Sequence, residues 1–172
     1  TYTASTISSW VRVSSYPNAG FGKIIDIGGG AGNNGRIQMA ATFEDGFEFS
    51  VSEADILNDG LTEVTNFQGG ITNQWFHVVG VWNGLNYIRL YINGIEVNSN
   101  FIGPNISSLI INNLGRLTIG RRYNNVDYFD GKIDDIGIWD RALTECEIQD
   151  LYNAELNAPT VDLGGDQTIC SG

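Results

Sequence analysis

Cysteine is nearly missing from this chain: Cys146 and Cys170 are the only two in 172 residues, and no Cys-x-x-Cys pair occurs. Two thiols are too few for a disulfide framework or a cysteine zinc site. They either pair with each other in an oxidising compartment or stand apart, with Cys170 pairing elsewhere. Histidine is scarcer still, with His77 alone. Basic residues are few as well, nine Lys and Arg against twenty Asp and Glu, for a formal net charge of -11. Such a chain is repelled by a phosphate backbone or an anionic membrane unless a basic patch is segregated, and only Arg121 and Arg122 sit side by side. Nucleic acid is therefore not an expected partner. No apolar run approaches the roughly 20 residues needed to span a bilayer, so membrane insertion is not expected either. No basic, apolar leader is visible at Thr1. A secretory leader is removed on export, so its absence leaves an exported protein open.

What the chain does have is glycine, 22 residues of it, 11% aromatics, and many Val, Ile and Thr. That mixture favours short strands joined by tight turns, and an all-β fold is expected. Alternation and turn signals mark candidate strands at 5–15, 23–28, 36–43, 46–53, 61–67, 75–82, 86–94, 95–100, 108–112, 116–120 and 132–139. Short strands at close, turn-marked spacing point to a sandwich or barrel. The clearest hairpin is "RLYINGIEV", where Asn93 and Gly94 can take the positive φ angles of a type I′ turn. One helix is expected after Leu143: Thr144 caps it, Glu147 reaches back to complete a capping box, and Ile148, Leu151, Tyr152 and Leu156 share a face. After Asn157 the character changes. Residues 1–157 read as one domain, and 158–172, "PTVDLGGDQTICSG" with its neighbours, as a linker and the start of a following module.

Several groups of residues invite a chemical reading. Flat aromatic side chains beside amides and carboxylates suit a sugar, whose apolar face stacks while its hydroxyls need hydrogen-bond partners. Tyr123 and Tyr128 flank Asn124, Asn125 and Asp127, and Trp82 leads into the Asn83-Gly84 turn. These six form the candidate ligand-binding set; the competing reading is packing, which claims Trp10, Trp75 and Trp139 and extends to Trp82. The same loop, "RRYNNVDYFDG", offers many oxygens for calcium, but its spacing is not that of an EF-hand and acidic turn residues usually serve turn chemistry. His77 lacks a nucleophile motif such as Gly-x-Ser-x-Gly and is read as a histidine hydrogen-bonded within a sheet. "GGGAGNNG" (28–35) lacks the Lys-Ser/Thr ending of a phosphate loop and reads as a rim loop. In "KIDDIGIW", strict alternation puts Asp134 on the side of Ile136 and Ile138, facing the core, and Asp135 on the side of Gly137 and Trp139. A carboxylate near a core needs backbone N–H groups, a cation such as Arg141, or a metal.

The ordered series "STISSWVRVSS", "WFHVVGVWNG", "IRLYINGIEV", "LTIGRR" and "FDGKIDDIGIWDRALTECEIQDLY" resembles the laminin G-like, concanavalin A-like jelly-roll family of bacterial extracellular proteins, over roughly residues 5–156. The resemblance implies a two-sheet antiparallel jelly-roll sandwich with one short C-terminal helix. It also implies a structural calcium ion at the sandwich edge, held in related modules by the aspartate of an "IDDI"-like last strand, here Asp134. Family members usually carry a further N-terminal strand, often with an Asp-Gly pair, where only "TYTA" precedes the match; a missing strand leaves an open edge that can pair with another chain. The tail resembles the opening of immunoglobulin-like repeats in surface proteins of Bacteroidetes. Jelly-roll glycosidases of the laminarinase type carry Glu-x-Asp-x-x-Glu, whereas this chain has Glu53, Asp55 and then Asn58, so the paired carboxylates of retaining hydrolysis are incomplete. The resulting expectation is a monomeric, non-catalytic binding module of a secreted or cell-surface protein that recognises a carbohydrate or another surface ligand. The alternative is a structural or adhesion module with no sugar ligand.

Overall fold

A computed structural model describes residues 3–28, 35–43, 46–52, 62–101 and 116–156, with backbone alone for 62–68, 101 and 155–156. These residues form ten strands and one helix: β1 Ser5–Val13, β2 Phe21–Gly28, β3 Arg36–Thr42, β4 Gly46–Ser52, β5 Thr62–Gln68, β6 Trp75–Trp82, β7 Tyr87–Ile92, β8 Ile95–Phe101, β9 Arg116–Ile119, β10 Gly131–Trp139 and α1 Glu145–Leu156. Two five-stranded sheets result, ordered β10-β1-β6-β7-β8 and β5-β4-β3-β2-β9. Every ladder is antiparallel. This is the expected jelly-roll sandwich, with the expected helix. The candidate strand at 108–112, Glu53 and Asp55, and the 158–172 segment lie outside the described residues.

Alternation along each strand builds the core. Ile7, Val11 and Val13 from β1, Phe76 and Val78 from β6, and Ile88 and Leu90 from β7 meet Ile25, Ile37, Met39, Phe47, Phe49 and Val51 from the other sheet. Burial of apolar surface at roughly 25 cal/mol per Å² is the main force holding the sheets together. Gly80 of β6 lets the other sheet come close: a Cβ there would lie 2.1 Å from the Phe49 ring.

A second, smaller apolar cluster sits on the outer face of the first sheet. Val79, Val81 and Tyr91 pack there against Leu143 and Ile148, with Trp139 and Leu151 at its margin. Helix α1 covers this face because its start is fixed. The Thr144 N–H donates to Glu147 Oε2 at 2.8 Å, the Glu147 N–H donates to Thr144 Oγ1 at 3.3 Å, and Arg141 grips the same carboxylate at 2.6 and 3.0 Å. Those contacts hold the Glu147 carboxyl well below its usual range, at about 2, chiefly through Arg141. Cys146, on the same helix, is an exposed free thiol.

Candidate functional site

The loop between β9 and β10 joins two elements on the same edge of the sandwich, and its backbone is tied down at both ends. The Gly120 N–H donates to Ile24 O at 2.9 Å, the Phe129 N–H to Gly120 O at 2.9 Å, and the Lys23 N–H to Asp127 O at 2.9 Å. Within the loop, the Arg122 N–H donates to Val126 O and the Asn125 N–H to Arg122 O. Asn125 and Asp127 take positive φ angles of 62° and 52°, a conformation asparagine and aspartate tolerate better than most residues. Asp127 also faces Arg122 at 3.6 Å. Asn125 and Asp127 of this loop thus serve turn geometry first, and the residues exposed to solvent between Tyr123 and Gly131 are Asn124, Asn125, Val126, Tyr128 and Asp130, with Tyr128 63% exposed. Tyr123 and Asp127 are half-buried.

Beneath the loop lies a row of charges that the sequence reading missed. Lys23, Asp26, Arg36 and Glu48 project from the outer face of the second sheet, yet all four are buried. Arg36 grips Asp26 through two bonds, 2.6 and 2.8 Å, and the Tyr123 N–H donates to Asp26 Oδ2 at 3.3 Å. The guanidinium carbons of Arg36 and Arg122 stand 5.9 and 5.8 Å from the Tyr123 ring centre. Burial pulls the Lys23 ammonium down to about 8, against the opposing pull of Glu48, while its Nζ sits 3.9 Å over the Phe21 ring. Burial likewise raises Glu48, with Lys23 and Ser50 pulling it back. Part of the signal was present in the alternation, since Arg36 and Glu48 fall at outward positions of their strands, but Lys23 and Asp26 are three apart and reach the same face only through a register shift at Ile24.

The structure corrects two site expectations. Trp82 is fully buried in the core, so its ring offers no face to a ligand. Asp134 does not face the core. Its register partner is Trp10, whereas Ser8 pairs with Gly137, so β10 holds one residue more than β1 across this interval. Asp135 absorbs that residue at φ 47°. This is a β-bulge, and it breaks the strict alternation on which the expectation rested. Asp134 is exposed on the outer side, its Oδ1 accepting the Asp135 N–H at 3.0 Å. No group of three or more metal-ligating side chains forms among the described residues. A calcium shell of 6 to 8 oxygens at Asp134 would have to be completed by backbone carbonyls or water.

His77 is sealed in the first sheet, 2% exposed. Its Nε2 lies 2.7 Å from Ser8 Oγ, its ring packs beside those of Trp10 (5.3 Å, tilted) and Tyr152 (6.0 Å, stacked), and Nδ1 has no hydrogen-bond partner among the described residues. A Ser-His pair without a carboxylate to orient the ring, buried under α1, lacks the parts of an acyl-transfer site. Burial lowers the imidazole to about 4, so it is neutral at pH 7.

Two facing antiparallel sheets of this order, with outward polar rows and a loop presented at one edge, define the class: a lectin-type jelly-roll sandwich. The chain belongs to the Laminin G 3 family, described as the concanavalin A-like lectin/glucanases superfamily, whose model matches residues 1–149. It is 28% identical over 180 aligned positions to botulinum neurotoxin type E of Clostridium butyricum, covering 91% of this chain and 13% of the toxin. Among solved structures it resembles one of botulinum neurotoxin type C, whose cell entry is described as dependent upon interaction with two ganglioside molecules (TM-score 0.66, 21% identity, 89% of this chain and 36% of that one). It also resembles the heptameric SAP-like pentraxin of Limulus polyphemus (TM-score 0.62, 16% identity, 88% of this chain and 70% of that one). The chain thus spans a small part of the toxins, and at these identities the structural likeness is one of fold.

Proposed function

We propose that this domain is a non-catalytic binding module which recognises a carbohydrate on a cell or polymer surface through the loop between β9 and β10. The observation that carries the reading is the presentation of Tyr128, 63% exposed, beside the exposed amides of Asn124 and Asn125 on a loop held by a buried ion pair. An aromatic face and two amides supply the stacking and hydrogen bonds a pyranose needs, and a fixed loop lowers the ordering cost of binding. The family's lectin members and the ganglioside dependence described for the type C toxin support a glycan as the ligand class. An exported, multidomain bacterial parent completes the reading. Printing neutral, sialylated and sulfated glycans on one array tests it: wild type should bind at least one class, and Tyr128→Ala should lose at least tenfold in affinity with its melting midpoint unchanged. An array without signal, or a variant that binds as wild type does, would sink the proposal.

A further inference from the structure

The seam between α1 and the first sheet is held differently at its two ends. At the helix start Arg141 and Thr144 grip Glu147, whose carboxyl titrates at about 2 and so stays ionised in mild acid. In the middle Ile148 is fully buried in the cluster with Val79, Val81 and Tyr91. At the far end the seal is a stack of three rings. Tyr152 lies 5.7 Å from Trp10 and 6.0 Å from His77, at interplanar angles of 18° and 21°, and Gly94 leaves room for it.

Polar atoms are poorly matched in that stack. Ser8 Oγ engages Nε2 of His77, but Nδ1 of His77 and Nε1 of Trp10 are buried with no hydrogen-bond partner among the described residues. A neutral imidazole leaves only one nitrogen idle. A protonated one must donate from both, and a buried charged donor without an acceptor is costly. The elements around the ring do not relieve it. β1 contributes Ser8 and Trp10, with Arg12 two residues along, and the turn after β7 contributes Asn93, whose Oδ1 accepts the His77 N–H. Tyr91 of β7 and Tyr152 of α1 are neutral in acid. Asp134 lies beyond Trp10 in the register, and Glu145 and Asp150 of α1 are exposed. Burial alone sets the value of the imidazole, with no carboxylate opposing it.

We infer that α1 is an acid-released cover: protonation of His77 lifts the Tyr152 end of the helix from the sheet while the Arg141–Glu147 clamp holds its start, uncovering the apolar outer side of β6 and β7. The inference does not rest on the glycan reading. Release is local because His77 and Tyr152 lie outside the cluster that joins the two sheets, and lifting α1 breaks none of the strand ladders of β6. The covered imidazole titrates at about 4 and an uncovered one at its ordinary 6.5, so the uncovered form takes up the proton first as pH falls. Covering is therefore at full strength above pH 6.5 and weakens by up to about 300-fold on going down to pH 4.

The test is hydrogen exchange of the whole chain at steps between pH 7 and pH 4, corrected for the intrinsic pH dependence of exchange, with a dye of apolar surfaces alongside. The opening constant of α1 should rise at least tenfold between pH 7 and pH 5, dye fluorescence should rise with it, and β2, β3 and β4 should keep their protection. His77→Gln, which still offers Ser8 a partner, should remove the rise. Should that variant fail to fold, wild type carries the same question, since its single histidine resonance must titrate in step with the opening of α1. Protection of α1 that does not change with pH would overturn the inference. So would loss of protection in α1 and β2–β4 together, which is unfolding of the whole domain. An unchanged profile in His77→Gln would also overturn it, by assigning the response to the carboxylates of α1.

Discussion

His77 makes the domain sensitive to acid in a defined window. Its folded-state value of about 4 lies below the unfolded value of 6.5, so the unfolded chain binds the extra proton first as pH falls. Stability from this group is full above pH 6.5 and is lost on going down to pH 4, by roughly 3 kcal/mol in total. Urea melts at steps between those values should show that fall, and His77→Gln should flatten it. Arg36 matters for another reason. Removing it leaves Asp26, which is fully buried, without its cation, and breaking such a pair costs about 3–5 kcal/mol. Arg36→Met should lose that much in a urea melt, while Asp26→Leu with Arg36→Met should lose distinctly less. Asp134 reads as the residue beside a bulge, so the melting midpoints of wild type and Asp134→Ala should be the same in calcium and in chelator. A calcium-dependent rise present only in wild type would identify a metal ligand instead. At this scale the sequence showed where charges fall but not which of them meet. Alternation in "KIIDIG" sets Lys23 and Asp26 on opposite faces, and only the register shift at Ile24 brings both outward, toward partners on β3 and β4; the one-residue bulge that turns Asp134 outward likewise has no mark except the Asp-Asp pair itself.

Elements were far more legible than contacts. Period-two alternation with Gly and Asn punctuation located every described strand within a few residues, and the Asn93-Gly94 turn has the positive φ angles, 53° and 79°, that a type I′ turn requires. The helix start was legible because a capping box is local, needing only Thr144 and Glu147 three residues apart. What could not be seen was the partner of each face: that α1 would cover the outer side of the first sheet follows from its order, which local patterns do not encode. Gly94 joins the two scales, since a Cβ at this left-handed position would also stand 3.2 Å from the Tyr152 ring of α1. Gly94→Ala should therefore cost about 1–2 kcal/mol in backbone strain alone. Because Tyr152 stacks on Trp10 at 5.7 Å, its displacement should also alter the near-ultraviolet circular dichroism of the folded state. A normal spectrum with full stability would show that the turn and the helix are not coupled.

For the molecule as a whole, the two outer faces do different work. One is roofed by α1, while the other holds a buried charge row that seats the β9/β10 loop. A ligand held by stacking and amide hydrogen bonds gains little from the net charge of -11, so its affinity should change less than threefold between low and physiological salt. Steep weakening with salt would point to a cationic partner. The candidate loop was legible from its composition, but its rank among the aromatic residues was not, because Trp82 and Tyr128 differ in exposure only once the sheets have closed. The most direct measurement is a nuclear magnetic resonance titration of the isotope-labelled chain with the oligosaccharide giving the strongest array signal, repeated on Tyr128→Ala. Saturable shifts centred on Asn124, Asn125 and Tyr128, lost in the variant, are the predicted result. Shifts centred elsewhere, or unchanged by the substitution, would contradict a glycan site on this loop.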